Sequence, residues 1–370
     1  MRQRSMVGRR SVLASTAGLA GVAALAPRAL AAQPLTVGFL YVGSETDYGW
    51  NQSHAEGAAA VRAMPGVKVV EQAKVPETVA VQNAMASMIQ LDGASLLFPT
   101  SFGYFDPYVV REAKQYKKAT FLHCGGLWKQ GDPLNAHSYF GYIDEAVYIS
   151  GIVAGHMTKT KKLGFVAAKP IAQVLRNINA FTLGAQSVDP SITTQVIFTG
   201  DWFLPVREAQ ATNALADQGV DVVTCHVDSP KVIMETAEKR GIYCCGYHTN
   251  QAPLAPKGYL TGAEWNWSYL YPQFVTKFRA GQTLPNMIRG GFREGFVKNS
   301  PYNAIVPAAA RQQADGVRAQ FMKDQFVIFK GPIKSNKGAT VIPAGKSLGE
   351  HDVVLEQMDY LVAGVTGTTA

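Results

Sequence analysis

Cysteine is scarce in this chain, with four in 370 residues, at Cys124, Cys225, Cys244 and Cys245. That is too few for a disulfide scaffold. Three of them end apolar runs that read as strands, where a thiol behaves as a small hydrophobe and a buried free state is expected. A bridge from Cys225 to Cys244 or Cys245 stays open in an oxidising compartment. Charge is also thin, at 17% of residues, and basic residues gather only in pairs such as Lys117-Lys118 and Lys161-Lys162. Such pairs leave no footprint for nucleic acid or an anionic membrane. Past the first 31 residues no stretch reaches the ~18 uninterrupted apolar residues of a membrane span. The seven histidines show no His-x-x-His or His-Glu-x-x-His spacing, and Cys-x-x-Cys, Gly-x-Ser-x-Gly and the Gly-rich phosphate loop are missing too. No metal, cofactor or nucleotide chemistry is therefore expected.

What is present begins with an export signal. Arg2, Arg4, Arg9 and Arg10 precede a small-residue apolar run from Val12 to Leu25, and Ala29-Leu30-Ala31 fits a signal-peptidase site near Ala31. Arg9-Arg10 followed by Ser11-Val12-Leu13 matches the twin-arginine pattern, with an ordinary secretory signal as the alternative. Either gives an exported protein, and losing the five arginines of residues 1–31 lowers the whole-chain charge of +8 to +3.

From Leu35 onward, short β-rich runs alternate with helical stretches, the pattern of parallel sheets with crossover helices. Strand-like runs fall at 35–42, 67–70, 94–98, 119–123 and 138–142. The helical stretches between them fall at 55–63, from Pro76 through Val81, Met85, Met88 and Ile89, and at 107–116. A second series opens with a helix at 145–157 and continues with strands at 163–167, 195–199, 220–225 and 242–246. Pro205 and Pro230 mark helix starts there, while Gly219 and Gly241 mark stops. Roughly 340 residues exceed one core, so two α/β lobes are expected. Residues 35–143 and 263–290 form the first, 144–262 and 291–330 the second, and 331–370 an extension packing across the hinge. In open parallel sheets a ligand binds beyond the carboxyl ends of the strands.

Trp50, Trp128 and Trp202 fall in loops after expected strands, and Trp265 and Trp267 lie where the chain crosses back between lobes. This placement suggests an aromatic pocket for a flat ligand. Asp47, Glu56, Asp228, His226 and His248 contain the elements of an acid/base site, but hydrogen-bonding a ligand requires fewer coincidences than catalysis.

The segment from Asp47 through Trp50, Asn51 and Gln52 to Glu56-Gly57 resembles the signature of the basic membrane protein family of ABC-transporter binding proteins. Gly141-Tyr142-Ile143-Asp144-Glu145, Asp201-Trp202-Phe203-Leu204-Pro205 and Gly246-Tyr247-His248-Thr249-Asn250-Gln251 resemble further family stretches in the same order. The resemblance runs over about residues 35–330. It implies a type I periplasmic-binding fold, two Rossmann-like lobes joined by three crossovers. It also implies a periplasmic, monomeric, non-enzymatic protein that delivers a small molecule to an ABC permease and its ATPase subunits. Trp50 and Trp202 take the family's stacking positions and Asn51 its base-reading position.

The chain departs from the pattern in several places. The family's ribose-contacting aspartate aligns with His248 and its lysine with Trp265, Leu122-His123-Cys124-Gly125-Gly126 replaces an acid-bearing segment, and the lipobox cysteine is missing. Tryptophan at 265 fills the volume of a sugar, so a free purine base such as adenine is the expected ligand. A nucleoside, or hydrolysis of a small heterocycle or amide, are the alternatives. Asn51, Asp228 and His248 are the expected readers of the base edge, with Asp47, Tyr104 and Glu264 as further site residues.

Overall fold

The computed structural model describes residues 34–367. The expected signal segment, residues 1–31, lies outside them.

The chain alternates strand and helix in two series. The first runs β1 (Leu35–Leu40), α1 (Trp50–Arg62), β2 (Val67–Gln72), α2 (Val79–Gln90), β3 (Leu96–Pro99), α3 (Val110–Gln115), β4 (Thr120–Cys124) and β5 (Ala136–Gly141). The second runs α4 (Asp144–Met157), β6 (Lys162–Ala167), α5 (Ala172–Gln186), β7 (Thr193–Phe198), α6 (Pro205–Asp217), β8 (Val222–His226), α7 (Lys231–Arg240), β9 (Tyr243–His248) and β10 (Tyr259–Trp265). Then come α8 (Trp267–Arg279), β11 (Met287–Gly290), β12 (Val297–Asn299) and α9 (Ala308–Phe321), and the short strands β13 (Phe329–Lys330), β14 (Ile333–Lys334), β15 (Thr340–Ile342), β16 (Ser347–Leu348) and β17 (Val365–Thr366).

A six-stranded, all-parallel sheet has the order β11-β5-β4-β3-β1-β2, and a seven-stranded sheet the order β12-β10-β9-β8-β6-β7-β17 with only β12 antiparallel. Central strands such as β3 and β8 are buried along their whole length, as parallel strands covered on both faces must be. In each sheet the winding reverses beside the first strand of its series, at β1/β3 and at β6/β8. The loops after those strands are where a doubly wound sheet presents its binding residues. The chain passes between the sheets after β5, after β10 and after β11.

Local chemistry explains the elements. Thr78 caps α2 through the N–H of Ala80, and Val81, Ala84, Met85 and Met88 form its buried stripe. Pro205 opens α6, and Gly241, at φ 67°, closes α7 in the left-handed region. α4 lies against α5 at backbone contact, because a Cβ on Gly151 would sit 2.2 Å from the Phe181 carbonyl and one on Gly184 2.2 Å from that of Tyr148.

Three expectations need correction. The helix expected at 55–63 begins at Trp50, because the Asp47 carboxylate accepts from the N–H groups of Gly49, Asn51 and Gln52 at 2.8, 3.1 and 2.9 Å. The helix expected at 107–116 begins at Val110, since Pro107 supplies no N–H and residues 102–109 wind as short irregular turns. β10 keeps residues 263–265 in the second sheet, so the return to the first starts at Trp267, whose helix α8 packs on α1. All four cysteines are buried and free.

The C-terminal stretch is ordered on the second sheet. β17 extends that sheet beside β7, and Asn179 of α5 accepts from the N–H of Val362 at 2.8 Å and donates to the Tyr360 carbonyl at 2.9 Å.

Candidate functional site

The switch-point loops of the two sheets face one another across a cavity of about 340 Å³. The segments after β1 and β3 supply Val42, Trp50, Ser101 and Phe102. Those after β6, β7 and β8 supply Ile171, Gln173, Trp202 and Asp228, and Phe140 of β5, His226 of β8 and His248 of β9 complete the wall.

Direct bonds hold the sheets' loops together here. The Trp50 N–H donates to the Asp228 carbonyl at 2.8 Å, the Ser229 hydroxyl to the Asp47 carbonyl at 2.6 Å, and the Gln251 amide to the Tyr48 carbonyl at 2.7 Å. Gly49 permits that approach, since a Cβ there would stand 1.9 Å from the Asp228 carbonyl oxygen.

Trp50 and Trp202 line the cavity from the two different sheets. The Trp50 indole N–H donates to the Thr100 carbonyl at 2.9 Å, and its ring meets those of His54, His248 and Trp265 edge-on. Trp202 tilts over His226 with centroids 5.9 Å apart and carries Lys169 5.9 Å above its ring. Both keep an aromatic surface for a flat ligand.

The polar groups separate into spent and available. His248 accepts the Trp265 indole N–H on Nδ1 at 2.8 Å, which leaves Nε2 as the protonated nitrogen, donating to the Val227 carbonyl at 3.0 Å. Burial holds its pKa well below the usual imidazole value, so it is neutral. His226 is likewise pushed down to about 3 by burial and is bound by Asn177 and Tyr247. Asp201 is tied to Lys169 at 2.8 Å, and Glu77 accepts from Ser101 and the Gly103 N–H. Among the described residues, the Asp228 carboxyl and the Gln173 amide line the cavity without a hydrogen-bond partner. Burial, reinforced by the nearby Asp47 charge, raises Asp228 from 3.8 to about 8. At neutral pH it is a carboxylic acid with one donor and one acceptor.

Several expected site residues lie elsewhere. Asn51 is buried, donating to Asp47 at 2.7 Å and accepting the Gly43 N–H at 3.0 Å, so its amide braces the α1 start instead of reading a ligand. Asp47 is that helix's cap. Tyr104 is fully buried and donates to the Val75 carbonyl. Glu264 accepts from Ser300 and pairs with Lys298 at 3.3 Å, away from the cavity. Trp265 stacks on Trp267 at 5.0 Å and 13° behind the wall, so it does not occupy a sugar's volume. His248 is at the wall with both nitrogens committed.

Sequence reasoning missed Phe102, Phe140, Ile171 and Gln173. Phe102, Ile171 and Gln173 follow β3 and β6, where the switch-point rule points; Phe140 is interior to a strand and gives no such signal.

A model of the Bmp family, described as ABC transporter substrate-binding protein PnrA-like, matches residues 35–324. A purine-binding protein of Brucella abortus is 34% identical over 356 residues, covering 96% of this chain and 98% of that one. A putative ABC transporter glucose-binding protein of Haloferax volcanii is 28% identical, covering 90% of this chain and 81% of that protein. Among solved structures, an ABC transporter solute-binding protein from Conexibacter woesei superposes with a TM-score of 0.66 at 17% identity, covering 79% of this chain and 97% of that chain.

Proposed function

The chain belongs to the Bmp family of PnrA-like ABC transporter substrate-binding proteins, and on that premise we propose that it is exported to the periplasm and captures a purine base such as adenine for an ABC importer. Members of this family bind a small molecule and work with a membrane transporter; they are not enzymes.

The observation that carries the ligand reading is the pairing of two tryptophan faces, Trp50 and Trp202, with a neutral carboxyl at Asp228 in one cavity. A flat heterocycle between such faces gains on the order of 1 kcal/mol per stacking partner beyond area burial. A protonated carboxyl donates to a ring nitrogen and accepts from the adjoining exocyclic amine, a two-point match for the aminopurine edge. The name of the Brucella relative points the same way.

A free base is favoured over a nucleoside on a different ground from the one read in sequence. The two positions that the resemblance assigns to ribose recognition, His248 and Trp265, are bonded to each other and to Val227. Neither has a hydrogen bond left for vicinal hydroxyls, and burying unpaired hydroxyls is costly.

Mass spectrometry of whatever co-purifies with the protein, followed by calorimetry with adenine and adenosine, tests this reading. Tighter binding of adenine is expected. Adenosine binding equally well would overturn the base preference, chemical turnover of either would overturn the binding role, and no binding to any purine would overturn the ligand class.

A further inference from the structure

The Trp50–Trp202 cavity does not end at its own wall. Phe102, Gly125, Phe140, Ile171 and Gln173 also line a second compartment of about 310 Å³, so the two spaces adjoin. The compartment is lined by Tyr142 and Ile143 after β5, by Arg289 of β11, and by Leu355 and Glu356 of the C-terminal stretch, beyond the residues 35–324 that the family model matches.

Two arginines line this compartment, and their charges are met very differently. Arg176 is paired with two carboxylates, with Nε 2.7 Å from Asp144 and Nη2 2.6 Å from Glu350, and its guanidinium lies over the Tyr142 ring at 4.8 Å. Arg289 is also largely buried. Its Nη groups donate to the carbonyls of Ile288 and Gly126 at 3.1 and 3.2 Å, and to Ser138. Its Nε has only Glu356, at 3.8 Å, beyond hydrogen-bond length. Burial lowers the Arg289 pKa, the mark of a charge that its surroundings solvate poorly. Glu356 is about one-third exposed and is free to turn outward. Around Arg289 the wall is mostly apolar, with Leu127, Phe140, Ile143 and Leu355.

We propose that this compartment is a second subsite, which takes an apolar side arm carried by the bound heterocycle and pairs a carboxylate at the end of that arm with Arg289. The proposal rests on the heterocycle reading above. The stacked ring fills the first cavity, the carbon chain of the arm runs past Phe102 and Phe140, and the carboxylate receives the Arg289 Nε–H in a charge-assisted bond while Glu356 turns to solvent.

Calorimetry with three probes tests it: adenine, an N-alkyl adenine, and the same alkyl adenine ending in a carboxylate, at two chain lengths. The carboxylate probe of suitable length is expected to bind at least about tenfold more tightly than the alkyl one, a difference of about 1.4 kcal/mol. Arg289→Met should erase that difference and leave adenine affinity unchanged. Glu356→Gln should widen it several-fold, because the competing carboxylate is gone. If adenine binds but the carboxylate gives no advantage at either length, or Arg289→Met weakens all three probes alike, the subsite is overturned while the heterocycle reading stands. If no probe binds, both fall.

Discussion

Trp265 donates its indole N–H to Nδ1 of His248 at 2.8 Å, and the bond settles the tautomer of a histidine whose backbone is in the left-handed region at φ 77°. A non-glycine residue there is strained and persists only where its surroundings over-determine it. The two ring bonds of His248, to Trp265 and to the Val227 carbonyl, supply that determination and remove both residues from ligand reading. Trp265→Phe should therefore destabilise the protein by about 1–2 kcal/mol in urea unfolding, because a buried acceptor loses its donor. Adenine affinity should change by less than about threefold. A variant of unchanged stability that gains adenosine binding would return Trp265 to the cavity.

The approach of Gly49 to Asp228 sets a second expectation. A Cβ at 49 would lie 1.9 Å from the Asp228 carbonyl oxygen, so Gly49→Ala cannot keep the Trp50 N–H bond to that oxygen. The two sheets' loops must then separate. Ligand affinity should fall about tenfold or more, with little change in the unfolding midpoint, and small-angle scattering with ligand should show a larger radius of gyration than wild type. Wild-type affinity in this variant would mean that the contact plays no part in capture.

Trp50 and Trp202 should not behave alike. Trp202 is partly exposed and rests on His226, whereas Trp50 is hydrogen-bonded to Thr100 and wedged among His54, His248 and Trp265. Trp202→Ala should cost about tenfold in affinity at unchanged stability. Trp50→Ala should cost both, and ligand should quench the tryptophan fluorescence of wild type more than that of either variant. Equal affinity in Trp202→Ala would sink the two-faced stack.

Much of this was readable from the chain, for identifiable reasons. Strand–helix alternation and glycine or proline punctuation are local signals, and they located nearly every element through Gly246. Loop placement after strands, with the family resemblance, singled out Trp50 and Trp202, and both line the cavity, as does Asp228. What sequence does not encode locally is which polar side chain is already satisfied. Asn51, Tyr104, Glu264 and Trp265 have the right chemistry for a site, but each is consumed by a partner within the fold: Asp47, Val75, Ser300 and His248. Three of those partners are more than a dozen residues away in the chain. The compartment that Leu355 and Glu356 help to line was hidden for the same reason, since its walls come from chain segments as far apart as Phe102 and Glu356.

The last expectation concerns protons. Asp228 is held at about 8 against an unfolded value near 3.8, so the folded protein binds a proton there that the unfolded chain has released. Between those two values the native state carries more protons, and the stability contributed by this group falls as pH rises from about 4 to about 8, then levels off. Asp228→Asn lacks the titration, so the stability difference between variant and wild type should grow in the variant's favour across that window. Binding follows the same proton. If the neutral acid donates to a ring nitrogen and accepts from the amine, adenine affinity should hold below pH about 8 and decline above it. An asparagine amide presents the same donor and acceptor, so Asp228→Asn should keep affinity within a few-fold and flatten the pH profile, while Asp228→Leu should lose most of the binding. Calorimetry from about pH 5 to about pH 9, roughly two units either side of neutrality, separates the possibilities. Adenine binding that strengthens above pH about 8 and disappears in Asp228→Asn would show that the site reads its ligand with a carboxylate accepting from the ligand's N–H groups, and would overturn the neutral-acid pairing.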